Sequence, residues 1–183
     1  MKPLRAFLLA LLCLAVSACG QSSTPGAQRP SPAMEPTLRY AVTLSPLNAS
    51  GVSGTVRLEL TGDMLVVTTH AIGLAPNQTH YEHIHGTPGG AVSCPTAANA
   101  DASGMVSVAE GLAVVGPIAF DLQPYPQVTG TTPVDWSQRY TLSPYYRSHL
   151  TPLTEHVVVL HGLAYQGVYD RALFVACGPI LAV

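Results

Sequence analysis

The chain has 183 residues, enough for one domain of ordinary size with a real core and short for two. Charged residues make up only 10% of it, against roughly 25% in an average soluble protein, while 48% is hydrophobic and mean hydropathy is +0.30. That excludes an ordinary charge-rich surface, and a net charge of −2 leaves no basic excess for phosphates, so nucleic acid is not an expected partner.

Residues 1–18 read as a signal peptide. Lys2 and Arg5 precede an uncharged run from Ala6 to Val16 that is too short to span a bilayer as the helix of a folded protein. The run ends in Val16-Ser17-Ala18-Cys19, which resembles the lipobox of bacterial lipoproteins. That resemblance implies cleavage before Cys19 and lipid on its sulfur and new amino terminus; a plain secretory signal cut near the same place is the other reading. Residues 19–37 hold few large apolar groups and many Ser, Pro and Gln, which predicts a flexible tether. The expected location is extracytoplasmic, lipid-anchored to a bacterial membrane on its periplasmic or cell-surface side, in an oxidising compartment. With Cys13 in the signal and Cys19 lipidated, Cys94 and Cys177 remain. They form either one disulfide or two separate buried thiols, and the oxidising compartment favours the bridge.

From residue 38 to 183 the sequence reads as one β domain, with 16 Gly and 16 Pro to break it into short strands. Leu38 to Leu44 alternates loosely. Val56, Leu58 and Leu60 face one way and Arg57, Glu59 and Thr61 the other, the period of a half-buried strand. Gly62-Asp63 is a turn, and Met64 to Ile72 returns as the second arm of a hairpin. Further strands are predicted at His80 to His85, Met105 to Ala109, Pro117 to Leu122, His156 to His161 and Arg171 to Ile180. Eight short strands without a convincing amphipathic helix predict a β-sandwich or Greek-key barrel. The stretch from Gly111 to Glu155 carries six Pro, five Tyr or Trp and little periodicity after its first strand, and reads as a long functional insertion.

The chemistry concentrates in histidines. In His80-Tyr81-Glu82-His83-Ile84-His85, residues two apart share a strand face, so His83 and His85 present two imidazoles side by side. His161 ends the apolar run Val157-Val158-Val159-Leu160 and precedes Gly162, which places its ring at a strand end. Three imidazoles suit copper or zinc, and a structural role for the pair is the alternative. His149 and His156, beside Tyr140, Tyr145 and Tyr146, are further candidate ligands from the insertion, whereas His70 reads as a wall residue of its strand.

In combination these residues resemble copper/zinc superoxide dismutase. The match runs through a H-x-x-H-x-H segment at His80, His83 and His85, Cys94 nine residues later, the strand end Val159-Leu160-His161, and Ala176-Cys177-Gly178-Pro179-Ile180. Asp101 to Val108 also looks like the strand that follows the family's zinc region. The resemblance spans roughly residues 38 to 180 and implies an eight-stranded Greek-key β-barrel, a Cys94 to Cys177 disulfide, copper ligation by His83, His85 and His161, and a structural, backbone-bonded His80. It also implies turnover of superoxide by a copper ion that changes oxidation state.

The chain departs from the family in two places. Between Cys94 and Met105 only Pro95 to Gly104 remains, with one acid, Asp101, and no histidine, so zinc is not expected and the bridging histidine is lost with it. The family's guiding arginine falls on Phe174; Arg171 and Arg147 are the candidates to replace it. The expected activity is therefore that of a copper-only superoxide dismutase, with a non-catalytic copper-binding lipoprotein for storage, buffering or delivery as the alternative. A chordin-type domain, which shares a similar A-H-I-H-G segment, is disfavoured by the two cysteines.

Overall fold

The hairpin at Gly62-Asp63 organises one half of the protein. In the computed structural model, which describes residues 35–130 and 133–183, β1 (Thr37–Pro46), β2 (Ser53–Thr61) and β3 (Met64–Ile72) form an antiparallel meander. The signal peptide, Cys19 and the tether as far as residue 34 lie outside the described residues. Alternation sends Val56, Leu58 and Leu60 inward from β2, and Leu65, Val67, Thr69 and Ala71 inward from β3. Burying these side chains on one face supplies the main gain; each large aliphatic contributes about 1.5 to 3 kcal/mol.

The remaining strands are β4 (Glu82–His85), β5 (Ile118–Asp121), β6 (Val134–Thr141), β7 (Val157–Tyr165), β8 (Val168–Pro179) and the short β9 (Leu181–Ala182). Eight of them follow the ladder order β5-β4-β7-β8-β1-β2-β3-β6, and β9 pairs with β1. The fold is all-β, an antiparallel eight-stranded sheet that curls on itself. β1 links the halves: most of it pairs with β2, while Ser45 and Pro46 at its end pair with Cys177 and Ala176 of β8. The curl brings the two ends of the ladder together through side chains. Phe120 of β5 meets Tyr140 of β6 edge-on with ring centres 5.3 Å apart, and the Glu82 carboxylate of β4 reaches Thr69 and Trp136.

Two predicted features need correction. The strand expected over Met105 to Ala109 is absent; instead α1 (Val108–Val115) begins there. Val106 pairs with a side chain and not with a strand: the Asn48 carboxamide accepts from Val106 N–H at 2.8 Å and donates to the Val106 carbonyl at 2.9 Å. One residue's amide thus completes what a neighbouring strand would otherwise supply. The 111–155 stretch is also more regular than expected. It holds β5, β6, α2 (Pro144–His149) and a short 3-10 turn at Leu153–Glu155, and β6 pairs with β3 along its whole length, from Val134↔Ala71 to Thr141↔Met64.

A second, smaller core lies outside the curl. Val106, Val115, Val157, Val159, Phe174 and Cys177 pack together with Leu47, and α1 covers them. Cys177 is bonded to Cys94 across 83 residues of sequence, tying the loop after β4 to β8. Closing a loop of that length stabilises by about 4 to 5 kcal/mol in the chain-entropy picture.

Candidate metal centre

The outer face of β4 carries His83 and His85, because Ile84 and Glu82 on the same strand point into the main core. β4 pairs with β7 so that His83 lies opposite Val159 and His85 opposite Val157. Counting on by two from Val159 brings His161 to that same face, where the ladder to β8 shifts register. Gly162 makes the shift possible. Its φ is +109°, and a Cβ there would stand 2.0 Å from the Tyr169 hydroxyl and 2.8 Å from His80 Nδ1.

The result is a cluster of three imidazoles whose ligand nitrogens all lie within 4.8 Å of one another. His83 Nδ1 and His161 Nε2 are 3.2 Å apart, and His83, His85 and His161 expose only 6%, 1% and 5% of their surface. The opposite nitrogen of each ring is engaged. His85 Nδ1–H donates to the Gly116 carbonyl at 3.0 Å and His161 Nδ1–H to the Ala172 carbonyl at 2.8 Å, which leaves a lone pair on each Nε2. His83 Nε2 faces Tyr125 Oη at 3.4 Å and Asp121 Oδ1 at 3.5 Å, so the carboxylate favours a proton there and a lone pair on Nδ1. Burial opposes the alternative of charging the rings: it lowers His161 to about 3 and His85 to about 4, and it lowers His83 against the pull of Asp121.

These tautomers set two lone pairs face to face at 3.2 Å and leave His85 Nε2 buried with no hydrogen-bond partner. Such an arrangement is costly unless a shared cation lies between the nitrogens. The 3.2 Å separation is what two nitrogens, each about 2.0 Å from one ion, would have. Three neutral imidazoles, each held by an outer hydrogen-bond partner, fit copper or zinc.

The other histidines do not join the cluster. His80 Nδ1 bonds the His161 carbonyl at 2.9 Å and its Nε2 bonds the Ala75 carbonyl at 3.0 Å, which fixes the backbone behind His161. His149 stacks on Tyr145 with ring centres 3.8 Å apart. His156 is buried, with Nδ1 on the Pro152 carbonyl, and His70 pairs with Asp135 on the exposed face of β3 and β6. Arg147 donates to the Gly62 carbonyl at the β2–β3 turn. Arg171 stands nearer: its guanidinium carbon is 5.5 Å from the Tyr81 ring centre, Tyr81 lies 4.5 Å from Tyr125, and Tyr125 reaches His83. Asp101 is spent within its own turn, accepting from Ser103 N–H at 2.8 Å.

The cover over the site is apolar. The Phe174 ring lies 4.7 Å from that of His161 and 6.3 Å from that of His85, and it is fully buried beneath α1. Asp121, Tyr125 and α1 are absent from the sequence-based site. The first two come from the 111–155 stretch, which has no fixed spacing to the histidines; an acid on a predicted strand at Pro117 to Leu122 was the one available signal.

No protein-family model matches the chain, and no curated protein matches it in sequence. Among solved structures it is similar to superoxide dismutase 5 of Candida albicans in the Cu(II) form. The TM-score is 0.51 at 11% identity, covering 81% of this chain and 94% of that one. A mutant form of the same enzyme gives 0.50 at 11% identity, covering 80% of this chain and 92% of that one. At this identity the likeness concerns the fold.

Proposed function

We propose that this chain is a membrane-anchored, extracytoplasmic copper-binding protein of superoxide dismutase type, with a copper-only centre at His83, His85 and His161. The observation that carries the reading is the convergence of three neutral imidazole nitrogens within 4.8 Å, with the opposite edge of each ring held by an outer partner. A superoxide dismutase solved in its Cu(II) form as structural neighbour supports copper as the ion. Lipid on Cys19 would hold the protein at the membrane; a Cys19→Ala variant that stays in the membrane fraction would remove that part of the reading.

Copper, when bound, supplies a store for one electron, taken from one superoxide ion and given to the next. The chain's own residues do the rest. Gly116 O and Ala172 O fix the tautomers of His85 and His161, Asp121 orients His83, and Phe174 keeps water from one side of the cluster. Arg171, exposed beyond Tyr81, is the cation placed to draw an anion toward His83.

One observation favours the non-catalytic alternative of copper storage, buffering or delivery. Phe174, fully buried, occupies the position where the guiding arginine is expected, and the three ligands are nearly closed to solvent. The purified protein, loaded with copper at known stoichiometry and assayed for superoxide decay, separates the two. A rate above that of aqueous or peptide-bound copper supports the dismutase; an equal rate leaves copper binding alone. His161→Ala should lower copper stoichiometry or affinity under both readings, and unchanged binding would refute the ligand set.

A further inference from the structure

Asp121 carries more partners than orienting one imidazole requires. Its Oδ1 accepts the Tyr125 hydroxyl and also faces His83 Nε2 at 3.5 Å, while its Oδ2 accepts the Gln123 side-chain amide at 2.6 Å. The Tyr125 oxygen itself stands 3.4 Å from His83 Nε2. The His83 N–H is therefore shared between a phenol oxygen and a carboxylate oxygen, and both separations are longer than a strong charge-assisted hydrogen bond. Tyr125 in turn is packed against Tyr81 with ring centres 4.5 Å apart, so its hydroxyl is held in place.

We propose that Tyr125 is a positioning residue that restrains Asp121, keeping the carboxylate from closing on His83 and so setting how strongly His83 donates to the metal. The inference rests on the copper-centre reading. A carboxylate that accepts from the far N–H of a ligand imidazole makes the near nitrogen more basic and favours the more highly charged ion. The phenol acts against this in two ways. Its O–H draws on the same carboxylate oxygen, and its bulk keeps that oxygen 3.5 Å from His83 Nε2. Removing the phenol oxygen should tighten the Asp121–His83 bond, and removing the carboxylate charge should abolish it. The two changes must therefore act in opposite directions, whereas a merely structural role for Tyr125 would weaken binding in both.

The test measures Cu(II) and Cu(I) affinities of the full chain by competition with chromophoric chelators, together with the His83 Nε2–H proton resonance of the metal-free protein. Tyr125→Phe is expected to raise Cu(II) affinity by about threefold to tenfold while Cu(I) affinity stays within about twofold, and to move the resonance downfield. Asp121→Asn is expected to lower Cu(II) affinity by about tenfold to a hundredfold. Loss of both ions together in Tyr125→Phe, or no change in either, overturns the proposal, as does an unmoved resonance. Should Tyr125→Phe fail to fold, Gln123→Ala removes the donor to Oδ2 and must shift Cu(II) affinity in the same upward direction; a fall overturns the proposal. The proton resonance needs no copper, so a wild-type protein that binds none defeats the copper-centre reading and leaves the Tyr125 assignment to be judged on the resonance.

Discussion

Glu82 and His83 are neighbours on one short strand and face opposite ways, one into the main core and one into the histidine cluster. Glu82 exposes 1% of its surface and accepts from Thr69 Oγ1 at 2.7 Å and Trp136 Nε1 at 3.0 Å, yet burial outweighs both donors and raises its carboxyl from 4.5 to about 7. The folded protein then holds a proton that the unfolded chain releases. Glu82 contributes stability that is full below about pH 4.5 and lost as pH rises through 7, up to about 3 kcal/mol across the window. The metal-free histidines run the other way, since His85 and His161 are depressed and their contribution disappears as pH falls below the unfolded value of 6.5. Glu82→Gln isolates the first effect. Urea midpoints of variant and wild type should diverge between pH 5 and 8, with the variant gaining relative stability as pH rises; a constant difference would show that Glu82 does not titrate in this range. At this scale the sequence is informative where spacing decides position. His83 and His85 are legible because strands repeat every two residues, and His161 because it ends an apolar strand. Glu82 is legible only as an acid between two histidines, because its partners Thr69 and Trp136 come from strands distant in sequence.

Among the elements, α1 and β6 are where a local reading fails. β6 buries alternate residues as a half-buried strand should, but its inward positions include Gln138 and Tyr140, and polar groups there blur the hydrophobic period. Met105 to Ala109 shows the reverse, a strand-like pattern whose backbone is completed by Asn48 and then turned into α1. The helix depends on a single small residue. Gly111 lies on the Phe174 ring so closely that a Cβ would come within 1.4 Å of Cε2. Alanine would improve helix propensity by about 1 kcal/mol, but the collision is with three atoms of the fully buried Phe174 ring and must lift the helix or displace Phe174. Overpacking costs about 1 to 3 kcal/mol or more, and an approach of 1.4 Å belongs at the upper end of that range, so the clash wins. Gly111→Ala should lower Tm by about 2 to 10 °C in calorimetry. A variant as stable as wild type would mean that α1 does not press on Phe174.

For the whole molecule, the disulfide and the histidine cluster fasten the same region by separate routes. Cys94 to Cys177 ties the loop after β4 to β8, whereas the three imidazoles are fixed by the β4–β7 ladder and by bonds to Gly116, Ala172 and Asp121. None of those bonds passes through Cys94. Replacing both cysteines by alanine should therefore cost about 4 to 5 kcal/mol from the unfolded-chain side while leaving the ligand nitrogens in place. Copper, bound as proposed, would act on the folded side. An ion that binds only the native state stabilises it by about 4 kcal/mol at a thousandfold excess over Kd. The two effects should add apart from coupling through Phe174, which packs with Cys177 and against His161, since none of the hydrogen bonds that hold the imidazoles involves a cysteine. Calorimetry of wild type and the double-alanine variant, each with and without copper, reads this directly. Both proteins should gain the same stabilisation from copper, so that the loaded variant regains most of what the lost bridge costs. A copper gain confined to the bridged protein would show that β8 needs the disulfide to keep the Ala172 carbonyl on His161, and the cluster would then be a product of the cross-link instead of the sheet.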